Sequence, residues 1–238
     1  MAEADPSRTP SPAAPAGDGY DRVVQRLIPG YASLARLGVA LLAASPKAGP
    51  AGTSVLVAGC GTGAELLEAR RQRPDWQLTA TDPSSEMLAI ARARLEGGEG
   101  IEWRQSTVET LSEAEGMAER FDGALSVLVL QSLPDDGSKL AFLAALSRTL
   151  RPGGQLVLVD LMQPERSPLQ GQVESAWLGY QQASGLDSAE EERSLLTQGT
   201  HPIGLARLTA LVNAAGFGDP ARIFQALNYE GFLLQKAL

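Results

Sequence analysis

The residues Val55-Leu56-Val57-Ala58 run straight into Gly59-Cys60-Gly61-Thr62-Gly63. An apolar strand that ends on closely spaced glycines can turn sharply into a helix and let a ligand touch its backbone. The helix start then offers free N–H groups. Gly59, Gly61 and Ala64 also satisfy the dinucleotide pattern G-x-G-x-x-A, and a tight turn without a ligand would use the same glycines. Asp82 closes the next expected strand. A carboxylate there can accept both hydroxyls of a ribose. Asp82-Pro83-Ser84 is equally a helix cap, and the two roles are compatible. No general base stands out. His201, before Pro202, reads as a surface or capping residue. Cys60 reads as a small buried packing residue. Asp135-Asp136 reads as a helix cap, and Glu190-Glu191-Glu192 as a solvated helix face.

Those residues need elements to hold them. Residues 1–19, rich in Pro, Ala, Ser and Gly, are expected to be a disordered tail. Residues 20–52 are expected to form a helical lid, as two helices that meet at Pro29-Gly30-Tyr31 and a Pro/Gly loop over Ser45–Thr53. A βα rhythm follows. Strands are expected over Ser54–Ala58, Gln77–Thr81, Ile101–Gln105, Phe121–Val127 and Gln155–Leu161. Helices are expected over Ala64–Arg73, Ser84–Leu95 and Asp136–Leu150, the last stopped by Arg151-Pro152-Gly153-Gly154. This alternation implies an α/β fold with a parallel sheet covered on both faces. Pro164–Thr200 reads as an inserted helical cap and Leu205–Ala215 as a helix. Arg222–Ala226 and Glu230–Gln235 read as a tightly joined antiparallel pair.

Composition narrows the function. The chain has 238 residues, of which 44% are hydrophobic, and a net charge of −8. The acidic balance disfavours nucleic acid as a partner. The longest apolar run, near Ala124–Leu130, is too short to cross a bilayer, and no secretory signal is evident. One cysteine and one histidine argue against a metal centre and against a Ser–His–Asp constellation. The expectation is a cytoplasmic protein acting on a small-molecule substrate, with no metal, nucleic acid or membrane partner and with a homodimer left open.

Four segments in order resemble one family. Gly59-Cys60-Gly61-Thr62-Gly63, Thr81-Asp82-Pro83-Ser84-Ser85-Glu86-Met87-Leu88, Phe121-Asp122-Gly123-Ala124 and Leu150-Arg151-Pro152-Gly153-Gly154 are similar to motifs of the class I S-adenosylmethionine (SAM) methyltransferases. The resemblance implies a Rossmann-like three-layer sheet of seven strands whose last strand is antiparallel. It implies that Gly59, Cys60, Gly61 and Gly63 pack against the methionine part of SAM and that Asp82 holds the ribose. Pro83, Met87, Thr107 and Val108 would lie near the adenine, and Ser126 and Val127 near the methionine amino group. Outside the core, Pro29-Gly30-Tyr31, Leu130-Gln131-Ser132-Leu133 and the C-terminal Ala215–Tyr229 resemble the carboxy-SAM synthase branch and its small-molecule methyltransferase relatives. Two positions depart from the wider family: Val57 stands where an acid is usual, and Thr107 where Asp is frequent.

The resemblance makes methyl transfer to a small molecule the leading reading. Gln131, Tyr180 and Tyr31 are then the candidate catalytic residues. Tyr20, Tyr31, Trp177 and Tyr180 could stabilise the sulfonium and exclude water, or simply pack. A second reading keeps SAM as the only substrate. Its own amine would close azetidine-2-carboxylate and expel methylthioadenosine, a step that needs a neutral amine and so could use Val57. Carboxy-SAM chemistry, an NAD-dependent oxidoreductase and a non-catalytic SAM-binding protein complete the alternatives.

Overall fold

A computed structural model describes residues 18–96, 100–186 and 199–238. Of the tail expected over residues 1–19, Asp18 and Gly19 belong instead to the first helix, and residues 1–17 lie outside the described residues, as does the acidic run Glu190-Glu191-Glu192. The described chain opens with helix α1 (Asp18–Leu27), breaks at Gly30 with φ +80°, makes a 3-10 turn (Tyr31–Ser33) and enters α2 (Leu34–Ala43). Strand β1 (Ser54–Ala58), α3 (Ala64–Gln72), β2 (Gln77–Thr81), α4 (Ser85–Arg94) and β3 (Ile101–Arg104) follow. Next come α5 (Val108–Glu113), β4 (Phe121–Val127), a 3-10 turn (Leu130–Ser132) and α6 (Ser138–Thr149). The chain closes with β5 (Leu150–Leu161), α7 (Gln170–Ala183), α8 (Leu205–Ala214), β6 (Ala221–Ala226) and β7 (Tyr229–Gln235).

The strands form a seven-stranded sheet in the order β3-β2-β1-β4-β5-β7-β6. Strands β1 to β5 are parallel. Strand β7 runs antiparallel to both β5 and β6, as the tight joint near Leu227-Asn228 requires. Along β1, Leu56 and Ala58 face one apolar layer and Val55 and Val57 the other, the alternation of a sheet covered on both sides. The first layer includes residues of α5, α6 and α8. The second includes residues of α2, α3 and α4.

Three details refine the expected pattern. Helix α2 packs into this core, with Leu34, Val39 and Leu42 buried. The Arg151–Gly154 segment is not a separate turn: β5 already begins at Leu150. Its pairing with β4 jumps from Phe121↔Leu150 to Gly123↔Gln155, which absorbs the extra residues as a bulge. After β3, Thr107 caps α5 by accepting the Thr110 N–H at 3.3 Å.

Candidate cofactor and acceptor site

The carboxyl ends of β1, β2 and β4 meet where parallel sheets usually take ligands. Gly59, Gly61 and Gly63 have φ of +70°, +49° and +86°, a region L side chains avoid. A Cβ on Gly59 would stand 2.4 Å from Val129 Cγ2. The Gly59 and Cys60 N–H groups donate to Thr81 O at 2.8 and 3.0 Å, which anchors the turn to the end of β2. Burial, with Asp82 and Glu65 adding to it, pushes the Cys60 thiol well up, so Cys60 is no nucleophile.

Asp82 is 8% exposed. Its Oδ2 accepts the Gly61 N–H and its Oδ1 the Ser84 N–H, both at 2.9 Å. The cap of α4 is Ser84, whose Oγ accepts the Met87 N–H at 3.2 Å. One carboxylate thus joins the glycine turn to the start of α4, and lone pairs remain on both oxygens. Pro83 is exposed and Met87 half-buried beside it. Thr107 sits at the α5 cap, but the Val108 side chain is in the core. Ser126, at the end of β4, is buried with an Oγ that has no hydrogen-bond partner among the described residues; Val127 beside it is half-buried. Leu128 then takes φ +60°, unusual for its type, and donates its N–H to Val159 O at 2.7 Å.

Gln131 is buried in a structural knot. Its Oε1 accepts the Leu161 N–H at 2.7 Å, its N–H donates to Asp160 Oδ1 at 2.9 Å, and its carbonyl accepts the His201 N–H at 2.6 Å. Its side-chain oxygen is therefore committed to the backbone of β5. Fully buried Lys139 donates to Leu130 O at 2.6 Å beside it. Burial raises the Asp160 carboxyl to about 7, against the pull of the Gln131 N–H and Lys139. His201 itself is exposed near Asp135 and Arg207, which form a two-pronged ion pair at 2.9 Å.

The aromatics divide. Tyr180 is 37% exposed on α7, outside the apolar cluster against which Trp177 packs. The Trp177 indole N–H donates to Leu27 O, the last residue of α1, at 2.7 Å, and its ring meets Tyr229 edge-on at 6.0 Å. Tyr20 and Tyr31 pack against the same cluster. Burial, then Glu65 and Asp21, push the Tyr20 hydroxyl up to about 12, with a smaller push from Asp82; burial and Glu65 likewise hold Tyr31 well above its ordinary value.

Helix α1 is latched to the glycine turn. Asp21 Oδ1 accepts from Thr62 Oγ1 at 2.6 Å, Oδ2 accepts from Arg94 Nη1, and the same Nη1 donates to Thr62 O at 3.0 Å. Sequence reasoning missed Asp21, Arg94, Glu65, Asp160, Lys139 and Tyr229. Asp160, a lone acid in an otherwise apolar strand, was the one with a readable signal.

Comparison with known proteins points to one family. Residues 55–154 match the family model described as a methyltransferase domain. A ubiquinone biosynthesis O-methyltransferase of Xanthomonas axonopodis pv. citri is 33% identical over 177 residues, which is 72% of this chain and 65% of the relative. One from Pseudomonas fluorescens is 35% identical over 156 residues, 65% of this chain and 58% of the relative. The chain therefore spans about half to two thirds of the length of the curated relatives it matches. Among solved structures, the Burkholderia thailandensis 1,6-didemethyltoxoflavin-N1-methyltransferase with bound S-adenosylhomocysteine shares the fold at TM-score 0.59 and 22% identity, covering 88% of this chain and 80% of that one. Human N-acetylserotonin methyltransferase with SAM gives 0.58 and 19%, covering 92% and 58%. Residues 55–154 thus carry a methyltransferase domain, and the relatives and shared fold support a class I SAM-dependent enzyme.

The residues present fit that cofactor. The glycine backbone is open where a Cβ at Gly61 would meet nothing within 4 Å, Asp82 has lone pairs for a ribose, and the Ser126 hydroxyl has no partner. Val57 does not bear on the cofactor's amine as the cyclisation reading would need, because its side chain lies in the core beside Leu34, Val39 and Leu42.

Proposed function

We propose that this protein transfers the methyl group of SAM to a small hydroxylated aromatic acceptor. One observation carries the reading: the glycine turn and Asp82 are joined by the Gly61 N–H···Asp82 bond, and the aromatic cluster packed under α1 and Trp177 reaches them through Tyr20. Bound there, SAM supplies an electrophilic methyl group. The chain's own part is positioning and exclusion of water, which can account for a large share of a methyl-transfer barrier.

Leu161, Tyr229, Trp177, Leu128, Tyr20 and Tyr31 pack into an apolar, aromatic cluster that would give a planar acceptor its surface once α1 moves aside. The hydroxyls of Tyr20 and Tyr31 stay protonated at neutral pH, so they orient an acceptor by donating hydrogen bonds and do not take its proton. The relatives are named O-methyltransferases, which supports an oxygen nucleophile. No helix among the described residues is long and apolar enough to cross a membrane.

The test is release of S-adenosylhomocysteine when the purified chain meets SAM and a panel of hydroxylated aromatics. Acceptor-dependent release, lost in Asp82→Ala, is expected. Tight binding of NAD with no binding of SAM would overturn the reading.

A further inference from the structure

Glu65 is the second residue of α3, two positions past Gly63, and is only 7% exposed. Its recorded hydrogen bond comes from its own backbone N–H, and among the described residues no cation lies within ion-pair distance of it. Arg94, which faces the same space, is bound to Asp21 and to Thr62 O. The Glu65 side chain opens on a cavity of about 190 Å³, bounded by Asp21 on α1, Tyr31 before α2 and Arg94 on α4. Glu65 is within electrostatic reach of Tyr20, Tyr31, Cys60 and Asp21, so it stands at the glycine turn.

A buried acid without a counter-charge is costly, and proteins retain one mostly where it has work to do. Burial, with Asp21 adding to it and Arg94 opposing it, has pushed this carboxyl up to about 7. A cation arriving in the cavity would restore its charge. On the cofactor reading above, the ribose lies along Asp82 and the methionine end lies along the glycine turn, between Ser126 at the end of β4 and the start of α3. The methionine end carries an ammonium. Strand β1 offers no competing acid, since Val57 is in the core.

We propose that the Glu65 carboxylate binds the ammonium group of the cofactor's methionine end. This rests on the cofactor reading, and the test separates the two. The full chain and its Glu65→Gln variant are titrated calorimetrically with S-adenosylhomocysteine and with methylthioadenosine, which keeps the nucleoside but lacks the ammonium and carboxylate. Glu65→Gln should weaken S-adenosylhomocysteine about tenfold or more, as loss of a charge-assisted bond does, and leave methylthioadenosine unchanged. Equal affinities for S-adenosylhomocysteine in the two proteins, or equal weakening of both ligands, would overturn the proposal. Failure of the unaltered chain to bind either ligand would overturn the cofactor reading itself, and the proposal with it.

A second readout does not depend on methylthioadenosine binding. Titration at pH 7 in buffers of different ionisation heat should show proton release when S-adenosylhomocysteine binds. The charged groups that share this space with Glu65, namely Asp21, Glu68, Arg71 and Arg94 together with Tyr20, Tyr31 and Cys60, are unchanged in Glu65→Gln, so the release should vanish there. Absence of release in the unaltered chain contradicts the proposal. Glu65→Gln is nearly isosteric and removes a buried charge, so it is expected to fold.

Discussion

Both oxygens of Asp82 already accept a backbone N–H, from Gly61 and Ser84, and each keeps a lone pair for a ribose hydroxyl. Asp82→Ala should therefore weaken SAM by roughly 1.5–3 kcal/mol, read by calorimetry; an unchanged dissociation constant would remove Asp82 from the ribose role. Glu65 gives a prediction on stability. Its carboxyl ionises near 4.5 when unfolded and near 7 when folded. The folded state thus prefers the protonated form, and its penalty grows as pH rises from about 4.5 to 7 and stays constant above. Glu65→Gln should stabilise the fold by on the order of 1–3 kcal/mol at pH 8 and hardly at all at pH 4. Equal melting shifts at both pH values would argue against a buried, uncompensated acid. The glycines and Asp82 were legible because their types and spacing are chemical statements. Glu65 was not, since an acid in the first turn of a helix is also the ordinary answer to the helix dipole. Nor could spacing tell Trp177 from Tyr180: which face of α7 turns inward is decided by packing against α1 and Tyr229.

Helix α1 is held at both ends, by Asp21 on Thr62 and Arg94 and by Trp177 on Leu27. If it closes over bound cofactor, Asp21→Ala should speed cofactor release several-fold. Stopped-flow displacement would show this, and an unchanged release rate would mean that α1 is a fixed wall. The turn below it admits little change. Gly59→Ala meets Val129 Cγ2 at 2.4 Å and a φ of +70°. It should cost about 1–2 kcal/mol of stability from the backbone alone. Pairing it with Val129→Ala should recover only part of the loss, because the second change relieves the clash and not the φ. Complete recovery in urea melts would contradict this. The element boundaries missed by the sequence have local causes. Apolar residues in α2 suit a lid and a sheet layer equally, and the β5 bulge lets Arg-Pro-Gly-Gly continue a strand that such residues would normally end.

At the scale of the whole molecule, the βα rhythm and the closing hairpin were enough to predict the parallel sheet and its antiparallel end, because connection length dictates strand direction. Long-range pairings were out of reach. The Asp160–Gln131–His201 knot joins β5, the turn after β4 and the chain before α8, and no local pattern encodes it. Together, the sheet holds the glycine turn and Asp82 rigid while α1 and Trp177 of α7 pack an aromatic cluster beside them. That division of labour predicts an enzyme that needs two ligands. The most direct test is mass spectrometry of the purified chain incubated with SAM, with and without hydroxylated aromatics. The expected result is intact SAM when it is alone, and S-adenosylhomocysteine with a methylated product when an acceptor is present. Methylthioadenosine formed from SAM alone would contradict the account.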